Sequence, residues 1–272
     1  MNSILRNRAR TAVAVLIIAV MLFPVYWMIN SSLQGSQNLL TTQWFPFQLD
    51  LSGYREAISS QLPHLLTSLV VALGAVVVCL CLATPAAYGL SRTSLRLTGA
   101  PVILVGLLVT QMIPGIVITT GLFPLYNSVG LVNSYAGLVL ADASLGVPFC
   151  ILLMRSFMVN IPTSLLEAAR IDGAGEFRVF ISIVIPLSRN VLVTAAVFSF
   201  LFAWSDFLFA LTLTTGDALM PITLSMYQFV GAHTQSWGAL MATATLASIP
   251  AAVLLVIAQR YIASGVTGGA VK

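Results

Sequence analysis

Long apolar runs separated by short polar stretches divide the chain. The runs cover Thr11 to about Ile29, then approximately 65–90, 99–123, 135–157, 190–213 and 239–262. Each is close to the ~20 residues that an α-helix needs to cross a bilayer. The pattern predicts an all-α membrane protein with six transmembrane helices. Arg6, Arg8 and Arg10 precede the first run, which could open a signal peptide. However, that run is long and lacks a small-residue cleavage pattern, and Pro24-Val25-Tyr26-Trp27 closes it with an interfacial aromatic cluster. It reads as a retained span. A polar stretch from Asn30 to about Pro63 follows, with a short surface helix expected near Tyr54-Arg55-Glu56. The other connections include Ser91–Thr98, Asn127–Ser134 and Thr214–Gly238. Pro24, Pro85, Pro114, Pro148 and Pro250 fall inside runs, where each removes a backbone donor and permits a kink.

One connection is built differently. From Ile161 to Gly175 the chain reads IPTSLLEAARIDGAG. Pro162 suits a first helical turn, Leu-Glu-Ala-Ala-Arg are good helix formers, and Gly173 suits a left-handed stop. A helix of roughly three turns is expected. Leu165, Leu166, Ala169 and Ile171 make it more apolar than a solvated loop requires, and Ala168-Ala169 would let another backbone approach. Two readings stay open on composition: a docking knob for a cytosolic partner, or an amphipathic linker lying on the bilayer.

Composition narrows the class. The chain has 272 residues, 58% of them hydrophobic and 7% charged, with a mean hydropathy of +0.99. Soluble domains carry about 25% charge, so a polytopic membrane protein is implied. Basic residues are scattered singly at helix ends, without the stripe that nucleic acid requires, so no nucleic-acid partner is expected. With both termini inside, Arg6, Arg8, Arg10, Arg92, Arg96, Arg155, Arg170, Arg178, Arg189, Arg260 and Lys272 all fall on the cytosolic side, and only Arg55 lies outside. That asymmetry is the positive-inside pattern, and it places the Glu167 connection in the cytosol. Cys79, Cys81 and Cys150 lie in apolar segments without metal-like companions, as buried small hydrophobes would. There is no phosphate-cradling G-x-x-x-x-G-K-[ST] loop and no nucleophile–base constellation. His64 and His233 fall outside the runs, as surface residues usually do. Neither an enzyme nor a metal site is expected.

Polar side chains inside spans cost roughly 2.5–3.5 kcal/mol each when ionisable, and so tend to face a cavity. Asp142, Gly146 and Phe149 lie at i, i+4 and i+7 of the fourth run, and Ser199, Ala203 and Asp206 repeat that spacing in the fifth. Because the two spans run oppositely, both carboxylates would sit in the outer half, and Phe149 offers a flat face to a sugar ring. A substrate pathway lined by Asp142, Gly146, Phe149, Ser199 and Asp206 is one reading. The other has Asp142 hydrated near the interface and Asp206 bonding neighbouring backbone groups. Gln111 either joins the pathway or satisfies backbone groups freed by Pro114. No Lys or Arg lies deep in a span, which favours a neutral, hydroxyl-rich solute. Two rival functions remain at this point: a secondary transporter using Asp142 and Asp206 as proton or cation sites, and a purely structural membrane subunit. The lack of a visible inverted repeat counts against the first.

Glu167-Ala168-Ala169, then Gly173, then Ile185-Pro186-Leu187 resembles the EAA loop of the permease subunits of binding-protein-dependent (type I) ABC importers. Trp204-Ser205-Asp206-Phe207 is similar to the signature of the helix that follows that loop. The tail Gln259-Arg260-Tyr261 with Gly265–Lys272 resembles the carbohydrate-uptake branch, in its maltose-permease-G-like subunits. The resemblance implies a cytosolic coupling helix between the fourth and fifth spans, within an EAA loop at 161–187, with Glu167, Ala168, Ala169, Asp172 and Gly173 engaging an ATPase cleft. It implies a permease core at 64–264, preceded by the first span and external loop at 1–63 and followed by a cytosolic tail at 265–272. The expected partners are a homologous second permease subunit, two copies of a nucleotide-binding ATPase, an extracytoplasmic solute-binding protein and membrane lipid. ATP and Mg would be held by the ATPases and not by this chain. The expected cargo is a mono- or oligosaccharide, with a polyol or glycerophosphate-type solute next, and the expected location is a bacterial or archaeal plasma membrane.

Overall fold

The computed structural model describes residues 2–34, 42–92, 99–216, 219–232 and 237–267; at 2–9, 229–232 and 262–267 it describes the backbone path alone. Arg96, His233, Lys272 and the tail beyond Thr267 lie outside the described residues or side chains. Among the described residues the regular secondary structure is helical, apart from one isolated bridge between Gln34 and Asp50. Four helices are long and apolar enough to cross a membrane, or up to six when each of two bent pairs is taken as one span.

The chain divides into two units, residues 1–63 with 225–249 and residues 64–224 with 250–272. In the first, α1 (Asn2–Ser32) presents its apolar side chains outward along its whole membrane-length stretch. Its end meets the start of α2 (Ser52–Arg92) through the Ser32 and Tyr54 hydroxyls, 2.7 Å apart. Tyr54 thus begins one 41-residue helix and not a separate surface helix. Gly53 brings α2 against the start of α12 (Trp237–Thr267): a β-carbon there would stand 2.8 Å from the Gly238 carbonyl carbon. Small residues let apolar helices approach so closely. Ser225, on α11 (Ile222–Ala232), donates to Gln61 across 2.5 Å. The apolar pattern places these residues inside a connection, and the structure gives them a helix of their own.

The second unit holds the main cores. Its largest cluster joins α2 (Cys79, Ala83, Ala87), α5 (Tyr135–Met158; Ala143 to Met158), Ile161, Leu166, Val184 and α9 (Arg189–Trp204; Val191, Ala195). Cys79 and Cys150 are buried there as free thiols, whereas Cys81 is exposed on α2. Two arginines from the charge pattern acquire a structural task. Arg92, at the end of α2, donates to the carbonyls of Met158 (2.8 Å) and Ile161 (3.1 Å) at the end of α5. Arg155 of α5 donates to Leu90 of α2 at 3.2 Å. Each cation satisfies carbonyls left open at the other helix's C-terminus, where the helix dipole also favours positive charge. His64 is half-buried and lies 3.0 Å from the Met220 carbonyl, so it is not a free surface residue.

The third apolar run is broken. Helix α3 (Ala100–Thr110) and α4 (Gly115–Ser128) meet at 98°. Gln111 and Met112 bond back three residues, to Leu108 (3.1 Å) and Val109 (3.0 Å), which tightens and ends α3. Pro114, without an N–H, then starts α4 by accepting from Val117 at 2.9 Å. The fifth run is broken too. Helix α9 ends at Trp204, and α10 (Leu208–Leu213) follows after three residues. Uniform hydrophobicity concealed both breaks.

Candidate functional site

Two features in the second unit can act on a partner or a solute: an exposed helical arm and a cavity where the two broken runs face one another.

The arm starts as the sequence predicts. Helix α6 spans Thr163–Ile171. Pro162 stands before it as the cap, and Asp172 closes it. Gly173 has φ +84°, donating to Arg170 at 3.0 Å, while Ala174 donates to Ala169 at 2.9 Å. These two bonds form the left-handed glycine cap that satisfies the last carbonyls of a helix. Leu166 is the fully buried side chain of α6, 1% exposed and packed in the cluster shared by α2, α5 and α9. Ala169 is partly buried against that cluster, whereas Glu167, Ala168, Asp172 and Gly173 are exposed. Leu165, Ile171 (86%) and Phe177 (79%) add an exposed apolar surface. Across the Gly173 turn, Arg170 grips Glu176 at the start of α7 (Glu176–Val179) with two bonds of 2.6 and 3.0 Å. This fork holds the Glu176 carboxyl below its ordinary value and raises the guanidinium further. The backbone next widens into a π-helical turn at Phe180–Val184, then forms α8 (Ile185–Leu187) and bends by 77° into α9. Single π-turns recur at functional bends.

The cavity measures about 420 Å³ and is lined by Thr110, Gln111, Ile113 and Gly115 from the first break, by Ser205, Asp206, Phe207 and Leu208 from the second, and by Leu145 and Phe202. Gly115 and Leu208 nearly touch, since a β-carbon on the glycine would stand 3.1 Å from the leucine's Cδ1. Gln111 uses its amide to donate to the Leu145 carbonyl at 3.2 Å, which ties the break to α5. Asp206 accepts from the Phe209 and Ala210 N–H groups at 3.3 and 3.1 Å, so its carboxylate caps α10. Non-helical backbone at membrane depth survives where its polar groups are met or a cavity is lined, and both conditions hold here.

Of the residues singled out from the sequence, the structure brings Gln111 and Asp206 to this cavity. It places the others elsewhere. Because α9 stops at Trp204, Asp206 leaves the helical face carrying Ser199 and Ala203. Ser199 is buried, its Oγ 3.1 Å from the Cys150 sulfur. Gly146 packs α5 on α2: an added β-carbon would meet the Cys79 sulfur at 2.7 Å. Asp142 is buried on that helix, 8% exposed. Its side chain is thus packed within the protein and largely shielded from solvent. Phe149 packs edge-on against Phe198 and Phe202, with centroids 5.3 and 5.4 Å apart. Phe202 reaches the cavity though nothing marks it among the chain's 14 phenylalanines, whereas Phe207 belongs to the Trp204-Ser205-Asp206-Phe207 signature. Among the described residues, no group of three metal-ligating side chains converges.

Comparisons with known proteins agree with this architecture. Residues 98–268 match the family described as binding-protein-dependent transport system inner membrane component. The chain is 34% identical to a probable ABC transporter permease protein, y4oR, of Sinorhizobium fredii, across 93% of this chain and 91% of that one. It is 30% identical to the trehalose/maltose transport system permease protein MalG of Thermococcus litoralis, across 95% and 94%. A solved bacterial ABC transporter, involved in importing the acidic polysaccharide alginate, shares the fold with a TM-score of 0.80 at 21% identity, covering 96% of this chain and 98% of that one.

Proposed function

The chain belongs to the binding-protein-dependent transport system inner membrane components, and from that premise we propose how its two functional features divide the work. It is a multi-pass plasma-membrane permease subunit of an ABC importer. We assign energy coupling to α6 and solute passage to the cavity between the two helix breaks. The cargo is a mono- or oligosaccharide, as the trehalose/maltose name of one relative suggests. Gln111, Ser205 and Asp206 supply hydrogen-bonding groups, and Phe202 and Phe207 supply apolar faces, a mixture that suits a hydroxyl-rich ring. A second, homologous permease subunit completes the pathway. Two ATPase subunits bind ATP and Mg and hydrolyse the nucleotide, and an extracytoplasmic binding protein delivers the solute.

The observation that carries this reading is the way Leu166, the one fully buried side chain of α6, seats the helix in the core. Its exposed side, with Glu167, Ala168, Asp172 and Gly173, is free for a motor subunit, while Leu166 seats it in the core built by three of the spans. Force applied to the arm therefore reaches α2, α5 and α9 together. Ligand or nucleotide can shift such a bundle only through partner contacts that differ between its states. With the arm and both α2 and α5 C-termini on the cytosolic side, the basic residues obey the positive-inside pattern.

The test uses the whole complex. Glu167→Lys should abolish co-purification of the ATPase with an otherwise inserted permease, and Gly173→Val should leave the complex assembled but uncouple hydrolysis from uptake. ATP-dependent sugar uptake in vesicles holding the complete complex is the matching positive result. Uptake that follows a proton gradient without ATP, or wild-type coupling in both variants, would overturn the assignment.

A further inference from the structure

The segment between α1 and α2 carries an apolar surface that transport leaves unused. Residues 43–51 read QWFPFQLDL, and Trp44 (65%), Phe45 (64%), Phe47 (83%) and Leu49 (69%) are exposed. The segment is nevertheless not loose. Gln34 donates to the Gln43 carbonyl at 2.7 Å and accepts from the Gln43 N–H at 2.8 Å. Asn30 donates to the same carbonyl at 2.7 Å, and the Tyr26 hydroxyl donates to that of Trp44. Asp50 donates its N–H to Leu33 at 2.8 Å and accepts from Ser52 at 2.8 Å, capping the start of α2. Aromatic rings complete the clip: Trp44 lies edge-on to Trp27 at 5.6 Å and 6.1 Å from Phe23, which itself stacks on Trp27.

We propose that residues 43–51 form an interfacial anchor that lies in the headgroup layer of the bilayer, with Trp44, Phe45, Phe47 and Leu49 dipped into its apolar edge. Continuity selects lipid over a soluble partner. Trp44 extends the aromatic end of α1, a span whose apolar side chains are already turned outward. Trp and Tyr collect at this depth because one end of each ring system is apolar and the other wet. Charge agrees, since no Lys, Arg, Asp or Glu occurs between Arg10 and Asp50. A protein partner reading this face would find apolar rings and no charge to orient on. A contiguous exposed apolar surface otherwise marks a site that something must cover. The anchor fixes the depth of the α1 end and hence the starting level of α2.

The experiment compares the complete importer with its Trp44→Phe variant in lipid nanodiscs. The fluorescence lost on substitution reports on Trp44. We expect it to be quenched about twofold or more by lipids brominated on their upper acyl carbons, and little by aqueous acrylamide, as a headgroup-level indole requires. Quenching by acrylamide alone would overturn the proposal in favour of a solvated loop. Protection from both quenchers would overturn it in favour of cover by the second permease or the binding protein. Phe47→Cys in a Cys81→Ser background gives an independent measurement, because Phe47 is 83% exposed and its loss disturbs no packing. A polarity-sensitive bimane there should emit at shorter wavelength in nanodiscs than in detergent-free buffer standards, unchanged when binding protein is added. A water-like spectrum, or a shift that appears only with binding protein, would again overturn the lipid assignment.

Discussion

The arm around α6 and the paired breaks around Gln111 and Asp206 solve opposite problems. The arm leaves its polar groups exposed, and within α6 it is tied to the protein by apolar contact, chiefly the fully buried Leu166 with Ala169 half-buried beside it. The breaks sit within apolar spans and are tied by backbone-directed hydrogen bonds, from Gln111 to Leu145 and from Phe209 and Ala210 to Asp206. Where water is abundant, a burial contact is the specific element and polar residues are left for a partner. Where it is scarce, polar residues must hold the chain before they can meet a solute. Substitutions should therefore fail differently in the two regions.

Leu166→Ala should have the largest effect. Truncating a fully buried leucine costs about 2–5 kcal/mol, and each 1.4 kcal/mol is tenfold in a local equilibrium. The arm would lose its seat, so ATP-driven uptake should fall by about tenfold or more while the permease still inserts. Uptake at the wild-type level would show that the arm moves the spans by some other contact. The packed face of α5 offers the next test. Gly146→Ala forces a methyl to within 2.7 Å of the Cys79 sulfur, an overpacking that costs about 1–3 kcal/mol. Thermal unfolding of the complex should show that loss, and Cys79→Ala in the same chain should restore most of it, because the two positions touch. A double variant no better than the single one would mean that Gly146 serves the pathway and not the packing.

At the breaks the effect is smaller and more informative. Asp206→Ala removes the cap of α10, worth about 0.5–2 kcal/mol, whereas Asp206→Asn keeps an acceptor and removes the charge. If capping is the whole role, uptake should drop in the first and persist in the second. Equal loss in both, with the affinity for sugar weakened, would identify the carboxylate as a solute contact.

Those two regions were also unequally legible in the sequence. The arm could be read residue by residue, because its signals are local: Pro162 before the helix, Gly173 after it, and a polar island in an apolar chain. The glycine cap appears in the structure where that chemistry demands it. The breaks were hidden, because Gln111 to Pro114 and Ser205 to Phe207 lie inside runs whose hydropathy is set by their neighbours. Pro114 was visible as a kink, yet nothing local showed a 98° bend or the meeting with α10. The spacing of Asp142, Gly146 and Phe149 was a true helical face, but periodicity cannot say whether a face meets a cavity or another helix. The i, i+4, i+7 spacing puts Asp206 on a helical face that the chain has already left two residues earlier. Tertiary contact decided each case.

The least effect is expected at the Arg170–Glu176 fork, and it sharpens the contrast from the arm's side. The pair is geometrically strong, with bonds of 2.6 and 3.0 Å, yet both side chains are largely in water. Exposed ion pairs are weakened by solvent, by salt and by the entropy of holding two long side chains. The Glu176 carboxyl is held below its ordinary value, chiefly by the Arg170 hydrogen bonds. Its contribution is therefore complete above the unfolded carboxyl's value and fades as pH falls through the lowered one. Around neutral pH the fork should give no pH dependence at all. Glu176→Gln should accordingly leave uptake close to wild type and remove a small, salt-sensitive share of arm rigidity, measurable as faster amide exchange across Ile171–Gly175. A loss as large as that of Leu166→Ala would mean that charge, and not burial, seats the arm, and the division between the wet and dry regions would fall with it.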